Sequence, residues 1–183
     1  MKINTKQIVF TGIMLALCIA SQFFKNVSVY ITGPIVNTAL ILTAVYCGPV
    51  CGIFLSVISP ITAFFITGSP IMSAIPLIIP CIILGNAMLV ICVSIMKKIM
   101  SKRVGYIAGI IVGSGLKALV MTVLISDFLL TNYLPEKMQP MLKVFQLQFS
   151  VTQLITAFIG GVYAFIIILL IGNKYCVDDE KKL

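Results

Sequence analysis

The chain has no histidine and no tryptophan, and its 183 residues hold five acidic side chains: Asp127, Glu136, Asp178, Asp179 and Glu180. The missing histidine removes the usual general base and the commonest metal ligand. No carboxylate lies deep within an apolar segment, Asp127 falling at the end of one. Intramembrane carboxylates mark most proton pathways and many cation pathways, so an ion-driven symporter or a cation channel fits poorly. A Gly-x-x-x-x-Gly-Lys-Ser/Thr phosphate loop is absent, so this chain is not expected to hydrolyse ATP itself. Gly-x-Ser-x-Gly is absent too; "GSG" at 113–115 sits in an apolar helix with no base to activate Ser114. No catalytic constellation, metal site or cofactor is expected, and enzyme chemistry reads poorly.

Charge of either sign is scarce. Only 10% of the residues are charged, against roughly 25% in a soluble domain. Seventy-one consecutive residues, Asn26 to Met96, carry no Asp, Glu, Lys or Arg. About 20 apolar residues cross a bilayer, so this stretch alone has room for three helices. The sequence therefore predicts an all-α integral membrane protein, a single domain over 1–183 with six transmembrane helices in a compact bundle. The spans are placed at about 6–24, 33–47, 49–67, 75–96, 104–126 and 145–172, with ends good to about two to four residues.

Glycine and proline punctuate the spans. "TGP" (32–34) is expected to put Pro34 at the start of the second helix, where a missing N–H costs nothing. "CGP" (47–49) marks a tight turn into the third helix and "TGSP" (67–70) the turn out of it. Pro80 is expected to kink the fourth. Because the second span is short and Pro60 interrupts the third, a re-entrant hairpin is the alternative for that pair. The N-terminal run resembles a signal peptide in its two lysines and apolar core, but five further spans follow, and it is read as a retained first helix.

The net charge of +8 does not point to nucleic acid, because the basic residues cluster between apolar runs with no basic face or aromatic interleaving. Lys2, Lys6, Lys97, Lys98, Lys102, Arg103, Lys174, Lys181 and Lys182 fall on one side of a six-span topology, and Lys25, Lys137 and Lys143 on the other. Nine against three predicts cytoplasmic N and C termini. The tail "VDDEKKL" reads as a short solvated end. Five of the six cysteines (Cys18, Cys47, Cys51, Cys81, Cys92) lie within or at the ends of apolar segments, and Cys176 lies in the tail. This is no secreted disulfide framework; they read as small packing residues.

Two helices carry small residues every fourth position. Gly105, Gly109 and Gly113 on the fifth read as an internal packing face, and Gly12, Ala16 and Ala20 on the first as a face open to a partner. The polar residues gather towards the outer half. Lys117, within "VGSGLKALVM" (112–121), lies about 20 Å from the inner start of its helix and about 14 Å from its outer end. Asn86 falls near the middle of the fourth helix, Gln146, Gln148 and Gln153 in the outer third of the sixth, and Asn37 near the outer end of the second. Asn132 and Tyr133 follow the fifth. An outward-opening hydrated pocket accounts for this distribution. Each residue also has a plainer reading: Asn86 as an interhelical hydrogen bond, Gln146 and Gln148 as interfacial residues, Lys117 as a snorkelling lysine.

Length, six spans, the Ala16-x-x-x-Ala20 pattern of "ALCIA" (16–20) after a basic N-terminus, and "TGPIVNTALILTAVYCGPVCGIFLSVISP" with its "GP" turn together resemble the substrate-binding S components of energy-coupling factor (ECF) transporters, the vitamin uptake systems of prokaryotes. The resemblance implies a prokaryotic cell-membrane protein that captures a micronutrient outside and delivers it by toppling in the bilayer. It implies docking through Gly12, Ala16 and Ala20 on a transmembrane coupling subunit, with two ATPase subunits supplying energy. It also implies a site built from helices 4 to 6, bringing in Lys117, Asn86 and Gln153, with Asn37 nearby. The segment 25–33 would be its lid, with Tyr30 as a contact. An anion is the ligand group that Lys117 would meet; these residues match no single vitamin's signature. The alternative is a small membrane scaffold or regulatory protein, which would bind no small molecule and copurify with no ATPase.

Overall fold

The structure, a computed structural model, describes residues 4–24 and 28–171. The expected tail, Cys176, the 25–27 part of the expected lid and the last residue of the sixth predicted span lie outside them. Among the described residues there are helices and turns and no strand. The elements are α1 (Thr5–Gln22), α2 (Val29–Tyr46), α3 (Pro49–Thr67), the short α4 (Pro70–Ala74), α5 (Ile78–Ile99) and α6 (Lys102–Met121). A π-helical stretch, Thr122–Leu129, carries α6 into α7 (Leu130–Tyr133). A 3₁₀ turn (Glu136–Met141), α8 (Leu142–Phe149) and α9 (Val151–Ile171) follow. Among the described residues six segments are long and apolar enough to cross a membrane: α1, α2, α3, α5, Arg103–Tyr133 and Glu136–Ile171.

Local chemistry sets the helix ends. Asn4 and Gln7 form a capping box at the start of α1, which satisfies two of the orphan N–H groups there. Gly48 adopts φ 89° ahead of Pro49 at the first position of α3, and Gly68 closes α3 in the left-handed conformation at φ 54°. Both positions need glycine, and both fall where the Gly-Pro and Gly-Ser-Pro signals predict a turn. At the end of α2, Lys97 Nζ donates to Val45 O at 2.7 Å and Gln7 Nε2 to Cys47 O at 3.1 Å. Two of the carbonyls a helix leaves open at its C-terminus are thereby satisfied from α5 and α1.

Three expectations about proline and length change. Helix α2 starts at Val29, capped by the Ser28 side chain accepting from the Tyr30 N–H, so Pro34 lies inside the helix rather than at its start. The hydroxyl cap at Ser28 competes with the proline as a start signal and wins. Helix α5 starts at Ile78, which leaves Pro80 in its first turn, where no intrahelical bond is lost and no kink is required. The fifth span continues past 126 to Tyr133 through the π-helix, so Lys117 sits midway along it, fourteen residues from Arg103 and sixteen from Tyr133. As for the hairpin alternative, α2 and α3, of 18 and 19 residues, each have the length and apolarity to cross.

Helix α2 is the centre of the bundle. It is the most buried span, with 67% of its residues inside, and it packs against α1, α3, α5 and α9. Its Leu40, Ile41 and Val45 meet Leu55, Leu89, Val90, Val93 and Ile168 in one core cluster. A second cluster of Ile71, Met72, Ile78, Met121, Ile125 and Phe149 fills the other end. Glycines set the closest approaches. On α6, a Cβ at Gly105 would stand 2.6 Å from Met96 O, one at Gly109 2.8 Å from Val93 Cα, and one at Gly113 2.9 Å from Leu89 Cδ1. The α6 glycine stripe is thus the internal face against α5. Without a hydrophobic drive between helices in lipid, such close backbone contact does much of the holding. Large apolar side chains such as Phe65, Ile99 and Leu170 stay more than 70% exposed around the outside, the surface lipid would cover. The five cysteines among the described residues are free thiols.

Candidate functional site

Most buried hydroxyls are satisfied within their own helices. Thr43 Oγ1 donates to Ala39 O at 2.7 Å, Ser56 Oγ to Gly52 O at 2.8 Å and Thr156 Oγ1 to Thr152 O at 2.8 Å, the backward bond that lets Ser and Thr live in apolar helices. Neither Asn37 nor Asn86 nor Lys117 makes such a backward bond to its own helix. Asn37, Asn86 and Lys117 are each no more than 3% exposed. All three line one cavity of about 110 Å³.

The cavity lies at the end of the bundle where the α1–α2, α3–α5 and α7–α8 connections run. From α2 come Val29, Thr32, Gly33, Val36 and Asn37, spaced three and four apart, which puts them on one helix face. Ser59, Pro60 and Ala63 come from α3, Ile82 and Asn86 from α5, Lys117 and Met121 from α6. Gln148 and Phe149 end α8, and Gln153 opens α9. Ser69, Ile71 and Met72 lie across the α3–α4 turn, and Gln22 closes the wall at the end of α1. No aspartate or glutamate is among the described residues that line it.

Lys117 Nζ donates to Asn37 Oδ1 at 2.6 Å. An ammonium has three donors and a neutral amide oxygen satisfies one, so the charge itself has no counter-ion among the lining residues. Burying a cation without a partner is costly, and a cavity that admits water or an anion relieves that cost. The stem of Lys117 passes beside Gly85, where an added Cβ would stand 3.5 Å from Lys117 Cγ and 2.9 Å from Met121 Cγ. On α9, Gly160 lets α2 approach so that an added Cβ would stand 2.7 Å from Asn37 Cβ. Thr38 Oγ1, 2.9 Å from Gly160 O, fixes the same crossing.

Of the sequence-predicted site residues, the structure brings Lys117, Asn86, Gln153 and Asn37 to one cavity. It does not bring Tyr30, which is 55% exposed. The segment from 29 onwards is helical, and only the Val29, Thr32 and Gly33 face turns inward. Outside the cavity, Gln146 Nε2 donates to Ser126 O at 3.3 Å and Asn132 Nδ2 to Phe128 O at 2.7 Å. Gln22 and Ser59 join the cavity without having been expected there; each is one of several polar residues on its helix, and periodicity does not mark it as the one that faces a cavity. Ser114 Oγ, one turn before Lys117, is buried without a hydrogen-bond partner and does not line the cavity.

The family model described as "ECF transporter, substrate-specific component" matches residues 6–177. The chain belongs to that family. No curated protein and no solved structure matches it. As an S component it is a membrane protein with a substrate-binding role in a transporter, and its family associates with the other subunits of an ECF module. In this S component Gly12, Ala16 and Ala20 are all exposed, and a Cβ added at Gly12 would meet nothing within 4 Å. Ile8, Val9, Ile13 and Leu17 beside them are 45–60% exposed, so this side of α1 has no packing partner among the described residues.

Proposed function

We propose that this protein captures a small anionic micronutrient, a vitamin or a related compound, at the outer face of a prokaryotic cell membrane for ATP-driven uptake. The observation that carries this reading is Lys117, a buried cation whose one side-chain partner among the described residues is the neutral Asn37, in a cavity that no described acidic residue lines. Gln22, Asn86, Gln148 and Gln153 around it supply neutral donors and acceptors, and Met121 and Phe149 apolar surface. With both termini cytoplasmic, as the basic residues favour, the cavity end of the bundle faces outward. Energy comes from two ATPase subunits through a coupling subunit that seats on the Gly12, Ala16 and Ala20 side of α1.

Replacing Ala16 and Ala20 with Trp tests this reading, because bulk there blocks close helix approach and lies on the outer side of α1. The wild type is expected to copurify with the coupling and ATPase subunits and to support uptake. The variant is expected to lose both while the isolated protein still binds its substrate. Copurification and uptake unchanged in the variant would remove α1 as the coupling surface.

A further inference from the structure

Asn86 is 3% exposed and lines the cavity, and its side-chain amide makes no hydrogen bond with any described residue. Three other amides of the wall are held by the protein. Asn37 holds Lys117, Gln153 Nε2 donates to Gln148 O at 3.3 Å, and Gln22 Nε2 donates to Cys18 O at 3.2 Å. A buried amide with no protein partner is destabilising unless water or a ligand in the cavity meets it. Gly85, the residue before it on α5, faces the Lys117 stem, and Asn86 and Lys117 line the same cavity.

We propose that Asn86 is the specificity-determining residue of the cavity, recognising a ligand edge that carries a hydrogen-bond donor next to an acceptor, beside the anionic group held by Lys117. The inference rests on the cavity being the substrate site of this S component. An asparagine amide presents one acceptor and a donor side by side in a plane. A hydroxyl or ketone satisfies one end of it. A carboxamide, lactam, ureide or aminopyrimidine edge satisfies both at once, as asparagine does when it reads adenine. A cavity of about 110 Å³ is small beside the roughly 300–1,000 Å³ of drug-sized sites, so the ligand is on the scale of one ring or a short chain. The class is a small anion bearing an amide-like edge.

Two probes separate the groups. Succinamate carries a carboxylate and a terminal carboxamide; levulinate has the same chain with a methyl ketone in the amide's place. Both are titrated by calorimetry against the purified full-length protein in mild detergent. Succinamate is expected to bind at least about tenfold more tightly than levulinate, because a site built for hydrogen bonding discriminates against a ligand that lacks them. In Asn86→Leu, which keeps the branched shape of the side chain and removes its hydrogen-bonding groups, that ratio is expected to collapse towards one, succinamate losing more affinity than levulinate. Equal affinities in the wild type, a ratio that survives Asn86→Leu, or no binding of either probe at about 10 mM would each overturn the proposal. The wild-type comparison decides the matter even where the variant does not fold. Copurification with the coupling subunit uses no small molecule, so failure here is distinguishable from failure of the S-component reading.

Discussion

Lys117 Nζ and Asn37 Oδ1 stand 2.6 Å apart, a hydrogen bond from α6 to the central helix α2. The amide oxygen occupies one place where a ligand anion would meet the ammonium. A ligand oxygen arriving at Lys117 therefore competes with Asn37, or shares the ammonium with it through the remaining donors.

Converting that amide oxygen into a carboxylate should fill the place permanently. Asn37→Asp puts a counter-ion against the buried ammonium, so the folded protein is expected to melt higher than wild type in detergent. Its affinity for the anionic ligand is expected to fall by about 30-fold or more, the scale of losing one partner of a buried charge pair. Thermal unfolding and a binding titration read the two effects. Retained affinity would show that the anion does not meet Lys117 beside Asn37.

The two glycine stripes should respond in opposite ways. Gly109→Leu forces a side chain into the Val93 backbone, where the added Cβ would stand 2.8 Å from Cα. Backbone cannot yield as a side-chain tip can, so a loss of about 1–3 kcal/mol or more is expected. Gly12→Leu projects into open space, and its thermal midpoint is expected to stay within about 1 °C of wild type, consistent with an exposed change of under about 0.5 kcal/mol. Equal destabilisation by both would mean that α1 is packed against something within the chain.

The outward-facing cavity depends on topology. In a cysteine-free background, single cysteines at Lys98, in the last turn of α5, and Lys137, in the 3₁₀ turn, should label on opposite sides of the membrane. An impermeant maleimide on intact cells is expected to reach position 137 and not 98. Labelling at 98 reverses the orientation and closes the cavity to the outside.

Much of the bundle was legible because membrane spans are written in long runs of apolar residues, and turns in Gly48-Pro49 and Gly68. The α6 stripe of Gly105, Gly109 and Gly113 was readable as a packing face because every fourth residue returns to the same side of a helix. What failed was local. Pro34 and Pro80 mark places a helix tolerates as well as places it starts, and the Ser28 cap settled the first case. The extension of the fifth span to Tyr133 through a π-helix left no periodic trace. Depth along a helix was enough to bring Lys117, Asn37, Asn86 and Gln153 together in thought. Gln22 and Ser59 needed the packing of α1 and α3, which one-dimensional spacing does not contain. Tyr30 was expected at the cavity because its segment was expected to be a lid loop; a helix from Val29 turns a different face inward.

The central claim is that Lys117 binds the anionic group of the captured molecule. The direct measurement is a titration of purified wild type and Lys117→Met with the small molecule that mass spectrometry identifies in the wild-type preparation. Methionine keeps the length and apolar bulk of the stem and removes the charge, so both proteins are expected to fold. Loss of a buried, hydrogen-bonded charge partner is worth roughly 2–5 kcal/mol, so affinity is expected to fall by about 30-fold or more in the variant. Affinity within about threefold of wild type, under about 0.7 kcal/mol, in two folded proteins would contradict the account and leave Lys117 a buried lysine held by Asn37 alone.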